Sequence, residues 1–118
     1  MAGREELILR RADGSVVCER LTLADAPLAR LRGLLGRDGL ASGEGLLLRP
    51  ASAIHTWFMR FPIDAVFLDR SLVVVGIADR VEPWRARSRR GAKAVLELQA
   101  GESARRGLEV GDQLTLAA

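Results

Sequence analysis

The densest chemistry in this chain lies between Ile54 and Asp64, which reads Ile-His-Thr-Trp-Phe-Met-Arg-Phe-Pro-Ile-Asp. The segment holds the only histidine, His55, with Arg60, Asp64 and three of the five aromatic residues. A histidine beside a carboxylate is the arrangement that orients an imidazole for acid–base work. Read as a strand, the segment places His55, Trp57 and Met59 on one face and Thr56, Phe58 and Arg60 on the other. A turn at Phe61–Pro62 then returns Asp64 toward Trp57 or Phe58, within reach of Arg60 or His55. As an enzyme, the chain would use His55 as general acid/base, Asp64 as its orienter and Arg60 as an anion clamp. As a binding module, it would build a pocket from His55, Trp57, Met59, Arg60 and Asp64, rimmed by Trp84 and Arg85. Such a pocket suits a small polar or anionic ligand, or a peptide segment. The binding module is the leading expectation, and it predicts that alanine at His55 or Asp64 spares folding but removes binding. Plain structural roles compete with it. Trp57, Phe58, Phe61 and Phe67 would be core in most proteins, and a buried Asp64 would hold backbone N–H groups or Arg60.

The second segment with chemistry is arginine-rich. From Arg80 to Lys93 there are six basic residues and one acidic, a net of +5, whereas the other 104 residues carry 12 basic and 14 acidic, a net of −2. Trp84 stands among these arginines, and an aromatic interleaved with Arg can stack on a base while the Arg contacts phosphate. Nucleic-acid binding through the loop 84–93 is therefore a third expectation, ranked last because the rest of the chain is slightly acidic. The competing view is a solvated loop with Trp84 tucked onto the core.

Composition narrows the field further. The net charge is only +3, and the pI near 10.3 reflects 17 arginines with one lysine and no tyrosine, since arginine does not titrate below about pH 12. A single cysteine, Cys18, excludes an intrachain disulfide, and a single histidine excludes a His-rich or Cys/His zinc site. No metal and no cofactor are expected. Neither Gly33–Gly36 nor Gly43–Gly45 fits a phosphate loop, and Ser52 and His55 pair no better than chance. The N-terminus lacks an apolar h-region and no apolar run approaches the ~20 residues that span a bilayer. A soluble, cytoplasmic chain is expected.

The elements that must position these residues are those of one domain, 1–118: a chain of 118 residues buries roughly two thirds of its surface on folding. Asp13–Gly14 between apolar runs predicts a hairpin. Asp25 as N-cap, Pro27 in the first turn and a Leu28, Leu31, Leu34, Leu35 stripe predict a helix closed by Gly36. Aromatic and β-branched runs follow: Leu46–Leu48, Ile54–Val81 as a meander with turns at Phe61–Pro62 and Asp69–Ser71, Ala94–Leu98 with Glu97 on its polar side, and Gln113–Leu116. A second short helix is expected from Gly101 to Gly107. The fold class is α+β, a small mainly antiparallel sheet curled toward a barrel, with about seven mostly sequential strands and two short helices.

The order of these motifs is distinctive. Gly33-Leu34-Leu35-Gly36-Arg37 precedes His55-Thr56-Trp57-Phe58-Met59-Arg60-Phe61-Pro62-Ile63-Asp64, then Pro83-Trp84-Arg85, Val95-Leu96-Glu97-Leu98 and Gly111-Asp112. From about Leu21 to Leu116 the chain resembles the DUF192 family, a domain of unknown function. The resemblance implies a single β-rich α+β domain and carries over no catalytic roles. Some relatives carry Cys and Ser just ahead of the histidine motif; Ala51 and Ala53 stand there in this chain, so no thiol chemistry is expected at that place.

Overall fold

The computed structural model describes residues 7–25, 34 and 36–117. The expected hairpin forms: β1 (Leu7–Arg11) pairs antiparallel with β2 (Val16–Ala24). Gly14 turns the chain at φ 91°, a conformation glycine adopts without steric cost. Asp13 Oδ1 locks the turn by accepting hydrogen bonds from Ser15 N–H and Oγ–H at 2.9 and 2.6 Å. The remaining elements are β3 (Glu44–Leu48), β4 (Ala53–His55), β5 (Ile63–Leu68), β6 (Val74–Val81), β7 (Ala86–Ser88), β8 (Ala94–Gln99), the helical turn α1 (Glu102–Arg105) and β9 (Leu114–Ala117).

Seven strands form one sheet in the order β6-β5-β8-β3-β2-β1-β9, and β4 pairs with β7 in a separate ribbon. The sheet is mixed and half of its neighbouring pairs are non-sequential: β2 and β3 run parallel, and β8 inserts between β5 and β3. Hydrophobicity decides that order. All six residues of β5 and five of six in β8 are buried, so both strands need cover on both faces and take central places. The sheet does not close into the expected barrel. Its edges β6 and β9 meet only at one corner, through the isolated Val73–Gln113 bridge and adjacent backbone bonds. Little helix is present among the described residues: the segment from Gly101 to Gly107 is the single turn α1. The helix expected over 25–36 falls almost wholly outside the described residues.

Two apolar clusters cover the sheet. One gathers Leu9, Leu21, Leu47, Val66, Leu96, Leu98 and Leu114; the other gathers Leu46, Leu48, Ile54, Met59, Ile63, Phe67 and Val95. Alternation along each strand assigns its residues to one cluster or the other. Glu97 departs from expectation here. Because β8 is central, its supposed polar side faces Leu46 and Ala65 across the neighbouring strands, and the residue is only 4% exposed. Burial alone pushes its carboxyl up to about 8, because a low-dielectric site disfavours the charged form.

Glu102, buried at the start of α1, contrasts with it. Its carboxylate accepts hydrogen bonds from Gly43 N–H at 3.0 Å, from Ser42 Oγ, and from Arg105 and Arg106. Burial works to raise this carboxyl, and those bonds, led by Arg105, outweigh it and hold it below the usual range. The carboxylate thereby pins the entry to β3 against α1, as a buried charge can when it is paired and hydrogen-bonded.

Candidate functional site

The conspicuous segment does not continue as a strand beyond His55. Its backbone turns at Trp57–Phe58, with Met59 N–H bonded to Thr56 O at 3.2 Å. The cause lies in Thr56, which is wholly buried. Thr56 Oγ1 donates to Glu82 O at 2.6 Å and accepts from Arg85 N–H at 2.9 Å. Thr56 N–H donates to Arg85 O at 2.8 Å, while Thr56 O accepts from Trp84 N–H at 3.0 Å. One threonine thus clasps the 57–59 turn to the loop that carries Trp84.

The clasp presents a surface of aromatic rings. His55 stacks on Trp57 with ring centroids 4.8 Å apart and planes 29° apart, and Phe58 meets Trp84 at 4.7 Å with a 59° tilt. Trp57, Phe58 and Trp84 are 49%, 69% and 55% exposed. Two core expectations are therefore overturned: Trp57 and Phe58 are not core, and Trp84 is not tucked away. Phe67 alone of the cluster is fully core, with Phe61 partly buried against it. Phe58 and Trp84 also adopt φ of 66° and 67°, a left-handed backbone that costs an L-residue about 1–2 kcal/mol. Phe58 sits where a type II turn favours glycine. The Phe58→Gly variant is accordingly expected to keep the wild-type stability or gain up to about 1 kcal/mol, because relief of strain exceeds the extra chain entropy of glycine, about 0.5–1 kcal/mol. Thermal unfolding checks this; a loss above 1 kcal/mol would show that the ring supports the core.

The arginines around this surface divide by partner. Arg60 pairs with Asp38 at 2.7 Å and Arg80 with Glu82 at 3.5 Å, all exposed. Arg89 folds back over Gly76, its Nε donating to Val75 O at 3.0 Å. Arg85 and Arg87 differ, since their guanidiniums bond only the neighbouring Trp84 and Ala86 carbonyls among the described residues. The Arg-rich segment is also less of a loop than expected, for β7 pairs with β4 and sets Arg87 opposite Ile54 and Ala86 opposite His55.

Asp64 belongs elsewhere. Its Oδ1 accepts from Arg80 N–H at 2.8 Å and Gly101 N–H at 3.1 Å, and its Oδ2 from Ser103 N–H at 2.9 Å and Ser103 Oγ at 2.6 Å. Four donors fill the four acceptor positions of a carboxylate, joining β5 to β6 and α1. No hydrogen bond links Asp64 to His55 or Arg60 among the described residues. Met59 is buried in the second cluster. Of the seven expected site residues, His55, Trp57, Trp84 and Arg85 gather around the Thr56 clasp, Arg60 is exposed nearby in sequence, and Asp64 and Met59 are interior. Sequence reasoning did not single out Thr56 or Phe58 as site residues. Their importance arises from a hydrogen-bond clasp and a backbone conformation, neither of which residue type announces.

Open depressions of about 320 and 350 Å³ lie at Pro50–Ser52 with Ala92 and Lys93, and at Arg11–Asp13 with Gly111–Gln113. Neither includes the aromatic cluster. Among the described residues no three His, Cys, Asp or Glu side chains stand together as metal ligands. No helix there is long and apolar enough to cross a membrane.

Comparison with known proteins places the chain among relatives. The family model DUF192, described as "Uncharacterized ACR", matches residues 8–116. A UPF0127 protein of Thermococcus sibiricus is 31% identical over 113 residues, covering 92% of this chain and 73% of the relative. A crystal structure of a protein of unknown function from Novosphingobium aromaticivorans superposes with a TM-score of 0.80 at 25% identity, covering 95% of this chain and 84% of that one. Another, described as a "putative transcription regulator" from Sinorhizobium meliloti, gives 0.82 at 26% identity, covering 96% and 93%.

Proposed function

The chain belongs to the DUF192 family, and on that premise we propose that it is a binding module whose contact surface is the aromatic cluster His55, Trp57, Phe58 and Trp84 with Arg85 and Arg87. One observation carries this: two exposed aromatic residues, Phe58 and Trp84, are held in left-handed backbone by a buried threonine. Folding gains little from strain that keeps rings in water, and strain of this kind collects at functional sites. Trp and Arg are also residue types that dominate binding energy at interfaces, and Phe is enriched there. The ligand is anionic, matching guanidiniums that lack carboxylate partners among the described residues. The description of the Sinorhizobium meliloti protein as a "putative transcription regulator" concerns that protein and lends weight to a macromolecular ligand. Catalysis by His55 has less support, because the acceptor positions of Asp64 are already filled. The reading takes the protein as cytoplasmic, where the lone thiol of Cys18, buried and pushed up to about 11, is an unreactive core residue.

Intrinsic fluorescence tests this directly, since the only two tryptophans are Trp57 and Trp84. Titration with heparin, a flexible polyanion, is expected to change their emission saturably, with affinity falling as salt rises. The Arg85→Gln, Arg87→Gln double variant, which keeps the rings and removes both cations, is expected to weaken binding at least fivefold while the thermal midpoint holds. A titration that stays flat with heparin, with single- and double-stranded oligonucleotides and with anionic vesicles alike, or an unchanged affinity in the variant, overturns the proposal.

A further inference from the structure

Resting on that proposed surface, we infer that its ligand is single-stranded nucleic acid. Three observations converge. The first is the geometry of the rings. His55 on Trp57 forms a near-parallel stack, while Phe58 and Trp84 stand tilted to each other and half or more exposed. Rings so placed offer faces in more than one orientation, as a strand with independently turned bases requires. Every base has a π-face, and stacking on an aromatic contributes about 1–3 kcal/mol per base.

The second observation is where cations stand relative to those rings. Arg85 directly follows Trp84, and Arg87 lies on β7 opposite Ile54, one position from the pair that contains His55. Neither guanidinium has a carboxylate partner among the described residues, so both are free to meet phosphate. The neighbouring Arg60 and Arg80 are already paired with Asp38 and Glu82. A backbone track beside a stacking surface is the arrangement by which single strands are held without reading sequence.

The third is charge distribution over the chain. The net of +5 between Arg80 and Lys93 stands against −2 for the rest, so the chain's excess positive charge lies in this segment. Duplex DNA hides its base faces inside the stack and would meet only the arginines. A single strand engages arginines and rings together, which predicts a preference for single strands. An anionic bilayer would also meet Arg and Trp, but the His55–Trp57 stack sets one ring flat on another instead of leaving both free to insert.

The test compares a 12-nucleotide oligo(dT), a 12-base-pair duplex, heparin and phosphatidylserine-rich vesicles, read by anisotropy or co-sedimentation and by tryptophan emission. Oligo(dT) is expected to bind at least tenfold tighter than the duplex. Its log–log salt slope should be about −0.7 for each phosphate neutralised, and Arg87→Gln should make that slope shallower by about one such step. Trp84→Gly should weaken oligo(dT) about 5- to 150-fold, the range of a single lost stack, and weaken duplex less than threefold. Equal affinity for single strand and duplex, or binding to heparin or vesicles with none to oligo(dT), overturns this inference and leaves the binding surface standing. Failure of all four probes overturns both.

Discussion

Replacing Asp64 by Asn is expected to destabilise the protein by about 3–5 kcal/mol. The amide preserves the shape of the side chain but converts one acceptor oxygen into a donor. Whichever way it is turned, that NH₂ faces N–H groups which the carboxylate now satisfies: Arg80 and Gly101 on one side, Ser103 on the other. Each hydrogen bond to a charged group contributes about 1.5–3 kcal/mol, and a buried donor left unpaired adds its own cost. Against a total stability of about 5–15 kcal/mol, the Asn variant should show a large drop in its urea midpoint, and Asp64→Ala should be mostly unfolded near 37 °C. This replaces the expectation that alanine at Asp64 spares folding. Were Asp64→Asn to lose less than 1 kcal/mol while losing ligand, Asp64 would be a contact residue after all.

Replacing Glu97 by Gln is expected to stabilise the protein, and increasingly so as pH rises. The folded Glu97 carboxyl releases its proton only near pH 8, whereas in the unfolded chain it does so near 4.3. Between those values the folded state holds the extra proton, so wild-type stability falls as pH rises, by up to about 1.4 kcal/mol per pH unit. Below that window the penalty is absent, and above it the full penalty applies. Glutamine is neutral throughout and removes this dependence. The difference between variant and wild type should therefore be small at pH 5, grow by several kcal/mol toward pH 8, and level off beyond it. Thermal or urea unfolding of both proteins across pH 5–9 measures that difference, and groups common to both, such as Glu102, cancel. A constant difference across the range would mean that Glu97 is ionised in the folded protein.

Glu97 also marks where sequence reasoning reaches its limit. Alternation along Ala94–Leu98 correctly separates Glu97 from Leu96 and Leu98, but it assigns the other face to water. Whether that face meets water depends on where the strand sits in the sheet. The pairings of β8 with β3 and β5 join residues some 30 to 50 positions apart, and no local pattern encodes them. The expected barrel, the sequential order beyond the β5–β6 hairpin and the polar side of β8 failed together for this one reason.

Local chemistry was legible where local forces decide. Asp13–Gly14 made its hairpin because the turn needs a positive φ and a short acceptor, both supplied within four residues. The runs Leu46–Leu48, Ala65–Leu68 and Ala94–Leu98 became strands because they are apolar and short. The clustering of His55, Trp57, Trp84 and Arg85 was likewise readable, as unusual chemistry in two segments. Their placement came only from the tertiary structure. Thr56 reaches across some 30 residues to bind Glu82 and Arg85, and that clasp turns Trp57 and Phe58 outward when hydrophobicity alone would send them inward. Asp64, equally conspicuous in sequence, is drawn inward by four hydrogen-bond donors from distant segments. Residue types therefore determined which side chains could do chemistry, and long-range hydrogen bonding decided which of them face the solvent to do it.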